Sequence, residues 1–461
     1  MSTAAIFDLD RTLLSGASGP VLSRALQAVD LMSDRRIPGQ DLLFNVFNAI
    51  GENSPSMMLT RQSARMTAGW DITRLRQAGA LAAPDLDALV QPYARLLIEE
   101  HRAAGRHVVL ATTSPYELVF PLAEHLGMDV VLATRYEVRD GHCTGRIDGR
   151  FVWGRDKIAE VREWAASVDV DLAESFAYSD SWYDQHLLAA VGHPVAVNPD
   201  PRLQAMAVLR RWPVQHLDVP PQVPKFIGIE PQKVLMNLFR PELTAYANVH
   251  VRGVEHLPDS GPAILVANHR SYFDPLAVGF AIAKHGRPVR FLGKKEVFDA
   301  PLVGDLARAM GGIRVERGSG SDEPLKEAAA AVAAGELVAI MPQGTIPRGA
   351  DFFDPVLKGK WGAAKLAAET GAPVIPIGLW GTEKVWPRNA KIPNLLPHLS
   401  RPDVWITVGP PVPLGLDDAE ADTVTIMAAI VDQLPDEARE AHEPTAEELA
   451  ATMPSNVDPD A

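Results

Sequence analysis

Short apolar runs that end in polar residues, separated by long stretches of helical period, organise this chain. Residues 4–9 read as a buried strand, and 18–97 then carry a mostly helical pattern with breaks at Pro38-Gly39 and Ser54-Pro55. Val108-Val109-Leu110-Ala111 and Ser175-Phe176-Ala177-Tyr178 repeat the short apolar run, each followed by polar residues. Strands alternating with helices predict an α/β fold, a Rossmann-like parallel sheet with its site at the carboxyl ends of the strands. The helical block after the first strand predicts a cap inserted over that site. A second αβ pattern follows, with apolar strands at 263–266, 337–341 and 374–377. Pro220, Pro221 and Pro224 interrupt any helical period between them, which puts a first domain at 1–218, a linker at 219–230 and a second domain at 231–432. Residues 433–461 are acidic, punctuated by proline and short of aromatics, and predict a flexible tail. The chain shows no internal repeat.

Bulk properties narrow the setting. At 461 residues the chain is long enough for two ordinary domains, each with its own core. Its one cysteine, Cys143, allows no internal disulfide and points to a reducing compartment. A strand and an acidic loop occupy the first residues, so a leader peptide is not expected, and no apolar run approaches the roughly 20 residues that span a bilayer. The formal net charge of -14 argues against nucleic acid as a partner. Membrane contact would then be local. Residues 225–240 mix Phe226, Ile227, Ile229, Val234, Leu235, Met236, Leu238 and Phe239 with Lys225, Lys233 and Arg240, which suits an interfacial helix or a core helix equally. Lys284, Arg287, Arg290, Lys294, Lys295, Arg308, Arg314 and Arg317 make a basic stretch fit for anionic lipid or the phosphates of coenzyme A. These features predict a cytoplasmic protein, peripheral at the inner face of the membrane, and leave its oligomeric state open.

Chemistry concentrates in two places. Phe7-Asp8-Leu9-Asp10-Arg11-Thr12 sets two carboxylates and a hydroxyl where the first strand runs into a loop, an arrangement suited to metal-assisted phosphoryl transfer. Ser179-Asp180-Ser181-Trp182-Tyr183-Asp184 adds two acids that share a face if a helix starts there. The second centre is Asn268-His269-Arg270-Ser271-Tyr272-Phe273-Asp274, a histidine base with an orienting acid. Acyl transfer to an alcohol needs such a base, and an imidazole of pKa about 6.5 with its tautomer fixed by aspartate supplies one without a nucleophilic serine or cysteine. Taken singly, acidic loops and His/Asp pairs are common at strand ends and helix caps.

In residues 3–215 these motifs, with Thr112 and Lys157 between them, resemble the haloacid dehalogenase superfamily of phosphatases, in the helical-cap branch near phosphoserine phosphatase. The resemblance implies Asp8 as nucleophile, Asp10 as acid/base, Thr112 and Lys157 on the phosphoryl group, and Mg²⁺ held by Asp8, Asp10, Asp180 and Asp184. Arg61, Arg65, Arg74 and Arg76 in the cap either meet an anionic phosphomonoester or form a solvated helix face. Residues 245–415 resemble the glycerolipid acyltransferase family that makes phosphatidate from 1-acylglycerol 3-phosphate. His269 and Asp274 match its first block, Gly312-Ile313-Arg314-Val315-Glu316-Arg317 the second, Met341-Pro342-Gln343-Gly344-Thr345 the third and Val374-Ile375-Pro376-Ile377 the fourth. This resemblance implies that Arg317, Gly344 and Thr345 hold the acceptor phosphate, that acyl-CoA or acyl carrier protein is the donor, and that a lysophospholipid is the acceptor. Gln343 stands where the family usually has glutamate, which keeps hydrogen bonding but drops a charge. The leading expectation is a bifunctional lipid enzyme. Its rivals are a small-molecule phosphatase as the main activity, and an acyltransferase with a non-catalytic regulatory first domain.

Overall fold

The computed structural model describes residues 2–32, 54–220, 223–225, 229–237, 240–299, 303–315, 323–390, 392–394 and 401–454. The chain divides into two compact units, residues 1–221 and 222–461.

The first unit is built on β1 (Ala4–Phe7), β2 (His107–Pro115), β3 (Val130–Arg139), β4 (His142–Asp148), β5 (Phe176–Ser179), β6 (His193–Val197) and β7 (Val214–Gln215). They lie in the order β4-β3-β2-β1-β5-β6-β7, parallel except for the β3–β4 pair. All four residues of β1 are fully buried, as expected of a strand flanked on both sides and covered on both faces. Ala4 and Ile6 join Val109, Ala111, Ala177, Val161, Leu187 and Leu203 in one core cluster. The chain leaves β1 toward β2 on one side and returns to β5 on the other, so β1 is the switch point where open α/β sheets bind ligands.

Within the expected cap, helices occupy Gly19–Ala28, Ser54–Ser63 and Ile72–Asp87, while Pro38-Gly39 lies outside the described residues. At Ser54-Pro55, one of the expected breaks, a helix begins, because proline fits a first turn that needs no N–H from it. The next helix, Ala94–Ala103, straddles the expected cap boundary and packs on the sheet, with Ala94, Ile98 and His101 buried. His101 is held there by its Nε2, 2.8 Å from the Tyr178 hydroxyl. Burial, helped by the Arg106 charge, pushes the His101 pKa down to about 4. The unfolded chain, with its histidine near pKa 6.5, therefore binds more protons than the fold between about pH 4 and 6.5, and this contribution to stability is lost as pH falls through that window. His101→Gln should give a shallower fall of melting temperature across the same window. Parallel curves for the two proteins would refute the assignment.

The second unit holds β8 (Asn248–Arg252), β9 (Ala263–Ala267), β10 (Val289–Lys294), β11 (Ile313–Val315), β12 (Leu337–Ile340), β13 (Val374–Trp380) and β14 (Asp403–Val408). Their order is β11-β10-β12-β9-β13-β14-β8, with only β13–β14 antiparallel. Successive residues of β9 feed opposite cores. Leu265 packs with Phe273, Phe280 and Ile282, while Ile264 and Val266 pack with Leu366, Ile426 and Ile430.

Three expectations change here. The segment expected as a tail carries the helix Ala446–Ala451, closed by a capping box between Thr445 and Glu448. Beyond it the Thr452 hydroxyl accepts the Gly349 N–H at 2.8 Å, so backbone bonding and a cap outweigh the segment's acidic composition up to Pro454. Much of the basic stretch is consumed internally. Arg290 is buried and paired with Glu230 and Glu336, Arg287 donates to the carbonyls of Pro258, Gly261 and Gly335, and Arg314 pairs with Asp299 at 3.6 Å. Among the described residues of 225–240, Pro231–Met236 is helical; its buried residue is Gln232, which donates to the Val289 carbonyl, and Val234 is exposed. Phe226, Ile227, Leu238 and Phe239 lie outside the described residues. Among the described residues no helix is long and apolar enough to cross a membrane.

Two candidate active sites

In the first unit, three neighbouring parallel strands deliver the polar residues to one end of the sheet. Asp8 follows β1, Thr112 lies in the last part of β2, and Asp180 follows β5. The Asp8 N–H donates to the Tyr178 carbonyl at 3.0 Å, continuing the ladder to the site. Lys157, fully buried on the helix Arg155–Ser167, reaches Asp8 Oδ1 at 2.8 Å and Asp184 Oδ2 at 2.6 Å. Ser179 Oγ donates to the same Asp184 oxygen at 2.8 Å. Asp10 accepts the Ser18 N–H and, at 3.4 Å, the Ser114 hydroxyl. Burial raises the Asp10 pKa, against those hydrogen bonds and the Lys157 charge, which lower it. A raised carboxyl holds a proton more readily, the property a general acid needs. Thr112 is buried, with its Oγ1 accepting the Ser114 N–H at 3.2 Å.

Asp180 and Asp184 do not share a helix face. The turn that begins there is a short 3₁₀ segment, Trp182–Asp184, so Asp180 stays on the strand end and pairs with Arg11 Nε at 3.2 Å, while Asp184 faces Lys157. The four acids expected around a metal are thus not gathered together, and no cluster of three metal-competent side chains occurs among the described residues. The donors at the site nonetheless suit a hard cation: Asp8 and Asp180 end adjacent strands, and Asp184 Oδ1 is buried without a hydrogen-bond partner. The cap arginines Arg61, Arg65, Arg74 and Arg76 are exposed, the solvated-face alternative.

Sequence reasoning missed Gln91. Buried, it donates to the carbonyls of Thr12 at 2.6 Å, Arg11 at 3.2 Å and Leu14 at 3.3 Å, and accepts from Asn198 Nδ2 at 3.0 Å. It clamps the Asp8–Asp10 loop from far away in sequence. Arg11 was also missed, although it adopts φ 59°, a left-handed turn uncommon for a side chain of its size.

In the second unit the site again gathers at adjacent carboxyl ends, those of β12, β9 and β13. Asn268 locks the loop after β9 to β13, donating to the Leu379 carbonyl at 2.9 Å and accepting its N–H at 2.7 Å. His269 Nδ1 lies 2.7 Å from Asp274 Oδ2, with Asp274 fully buried and His269 partly open. The same Oδ2 accepts the N–H groups of Arg270 at 2.6 Å and Ser271 at 2.8 Å, so the acid is fixed by the loop it orients. With Asp274 ionised, Nδ1 carries the hydrogen and Nε2 keeps a lone pair for a substrate proton. Gln343, on the loop after β12, accepts the His269 N–H on Oε1 at 2.6 Å; the amide thus performs a positioning role that needs no charge. Gly344 adopts φ 68° in that loop, where its N–H donates to the Met341 carbonyl at 2.8 Å. Thr345 follows on the same loop, partly buried, and Arg317 lies outside the described residues. Arg270 was not anticipated: it pairs with Glu383 and stacks its guanidinium on Phe352 and Trp380, 4.2 and 4.3 Å from the ring centroids.

Comparison with known proteins agrees with this division. Residues 5–189 match the family described as haloacid dehalogenase-like hydrolase. The inhibition of morphological differentiation protein of Streptomyces azureus is 39% identical over 217 residues, 46% of this chain and 77% of that protein. The chain belongs to the haloacid dehalogenase-like hydrolases. To this hydrolase unit is joined an acyltransferase domain, since residues 248–380 match the family described as Acyltransferase. Phosphoserine phosphatase SerB1 of Mycobacterium tuberculosis is 34% identical to the hydrolase part over 218 residues, 47% of this chain and 71% of that protein. A solved structure of the 1-acyl-sn-glycerophosphate acyltransferase PlsC of Thermotoga maritima is 23% identical, covering 44% of this chain and 80% of its own, with a TM-score of 0.33.

Proposed function

We propose that the protein is a two-site lipid enzyme: a Mg²⁺-dependent phosphomonoesterase acting through Asp8, and an acyl-CoA-dependent acyltransferase acting through His269 on a lysophosphatidate-type acceptor. The reading is carried by the His269–Asp274 pair, 2.7 Å apart at the end of β9 and inside the stretch that matches the acyltransferase family. His269 Nε2 takes the proton of the acceptor hydroxyl as that oxygen attacks the thioester carbonyl. The C–S bond breaks, and the departing thiolate recovers the proton from His269. Asp274 stabilises the intervening imidazolium.

At the other site, Asp8 attacks phosphorus and the P–O bond to the leaving alcohol breaks as Asp10 protonates it. Asp10 then takes a proton from the water that hydrolyses the aspartyl-phosphate. Lys157, Thr112 and Ser114 bind the phosphoryl oxygens. Mg²⁺, held by Asp8 and Asp180, would supply charge neutralisation on the phosphoryl group. The 34% identity to a phosphoserine phosphatase favours a small phosphomonoester as the substrate of this first site. Contact with the inner face of the membrane, at a cytoplasmic location, belongs to the same reading.

Lipid product analysis tests it. Full-length protein supplied with lysophosphatidate, acyl-CoA and Mg²⁺ should form phosphatidate, and should release phosphate from a small phosphomonoester. Phosphatidate that goes on to diacylglycerol would join the two reactions in sequence. No acylated product from any lysophospholipid would reject the lipid reading.

A further inference from the structure

Among the described residues of the acyltransferase unit two arginines are buried, and they are treated in opposite ways. Arg290, 2% exposed, is neutralised by the carboxylates of Glu230 and Glu336. Arg388, 6% exposed, has no carboxylate within ion-pair distance among the described residues. Its Nη1 donates to the carbonyls of Ile346 and, at 3.0 Å, Pro347, and Nε is buried without a partner. A buried cation surrounded only by neutral dipoles is costly unless an anion joins it. The neighbouring charge in sequence is of the same sign: exposed Arg348 follows Pro347, whose carbonyl Arg388 holds.

The position matters as much as the missing counter-charge. Tyr272 lies in the loop between His269 and Asp274, and packs edge-on against Trp386 at 5.7 Å. Ile346 lies on the loop whose Gln343 holds the His269 N–H. Arg388 therefore anchors the loop that carries Gln343, two residues past Trp386, whose carbonyl accepts the Ser271 hydroxyl at 2.7 Å, although it falls beyond residue 380, where the match to the acyltransferase family ends.

We infer that Arg388, with Tyr272 and Arg348, forms an anion site beside His269 that takes a phosphate group of a substrate. The inference rests on the acyl-transfer reading. The phosphate is that of the acceptor headgroup, and coenzyme A is the other source of the same chemistry.

The test uses the full chain with Arg388→Lys and Tyr272→Phe, each checked by its melting curve. Glycerol 3-phosphate in EDTA is the binding probe; the Lys157 site is the same in all three proteins, so differences between them report the second unit. Arg388→Lys should weaken binding by about tenfold and Tyr272→Phe by about threefold, because a bidentate, charge-assisted contact is lost in one and a supporting hydroxyl in the other. In turnover, Arg388→Lys should raise KM for lysophosphatidate by about tenfold with KM for acyl-CoA unchanged, while transfer to 1-acylglycerol, which has no phosphate, keeps its rate. A raised KM for acyl-CoA alone would support the anion site and assign it to the donor. Unchanged glycerol 3-phosphate affinity in a folded Arg388→Lys protein would overturn the inference. So would equal losses on both acceptors, the signature of a loop staple. If the wild-type protein acylates neither acceptor, the acyl-transfer reading fails, and the binding comparison still decides whether the anion site exists.

Discussion

Asp8→Asn should lower phosphomonoester turnover by at least about a thousandfold and leave acyl transfer unchanged, since an amide oxygen cannot form the acyl-phosphate bond. The fold should tolerate the change. Lys157 is fully buried between Asp8 and Asp184, so the substitution leaves one cation with one carboxylate, a balanced pair. Lys157→Met, by contrast, would strand two buried carboxylates together, and breaking a buried pair in that way typically costs about 3–5 kcal/mol. Phosphate release from a generic phosphomonoester, lipid acylation and a melting curve, all on the same preparation, make the comparison. Retained phosphate release in Asp8→Asn would remove Asp8 as the nucleophile. A collapse of both activities would mean that the variant acts through folding.

Asp274→Asn should cut acyl-transfer kcat by about 10²–10⁴-fold with little effect on KM. One oxygen of Asp274 accepts from His269 and from two backbone N–H groups, while the other is buried without a partner. An asparagine that keeps its oxygen on the three donors must bury its NH₂ where nothing accepts it. One that flips presents an NH₂ to three N–H groups. In either pose the negative charge that stabilises the imidazolium is gone. The decisive readout is kcat on a phospholipid acceptor with phosphatase turnover as an internal control, and wild-type kcat in the variant would mean that His269 works without its partner. His269→Ala should bring acylation to the same floor.

The strands that carried the sequence reading were those with uniformly apolar residues. β1, β9 and β12 are buried on both faces, so neither face contributes a polar residue to blur the pattern. β10 and β14 were invisible for the opposite reason: Arg290 and Lys294 interrupt one, and Asp403, Trp405 and Thr407 alternate along the other. The acids and bases proposed as catalytic stood out in the sequence because they cluster in short stretches at strand ends. Gln91 and Arg388 were not, because each acts on a loop distant in sequence and neither neighbours a recognisable motif. The geometry around Asp184 was misjudged because a 3₁₀ turn and an α-helix start with the same capping chemistry; here the Ser181 hydroxyl accepts the Tyr183 N–H in a turn that closes after three residues.

The pairing of β8 with β14 sets a timetable for synthesis. Asn248 opens the second unit's sheet, yet its parallel neighbour across the ladder is Asp403. At roughly 5–20 residues per second, a ribosome needs on the order of 10–30 s to make the chain between them. Through that interval β8 has emerged without its partner strand, while the last strand of the first unit, β7 at Val214–Gln215, was finished earlier and already has β6 beside it. The first sheet therefore has all its strands before the second sheet has β14, and a chain stopped before Asp403 keeps the first sheet whole and leaves the second without the strand that pairs β8.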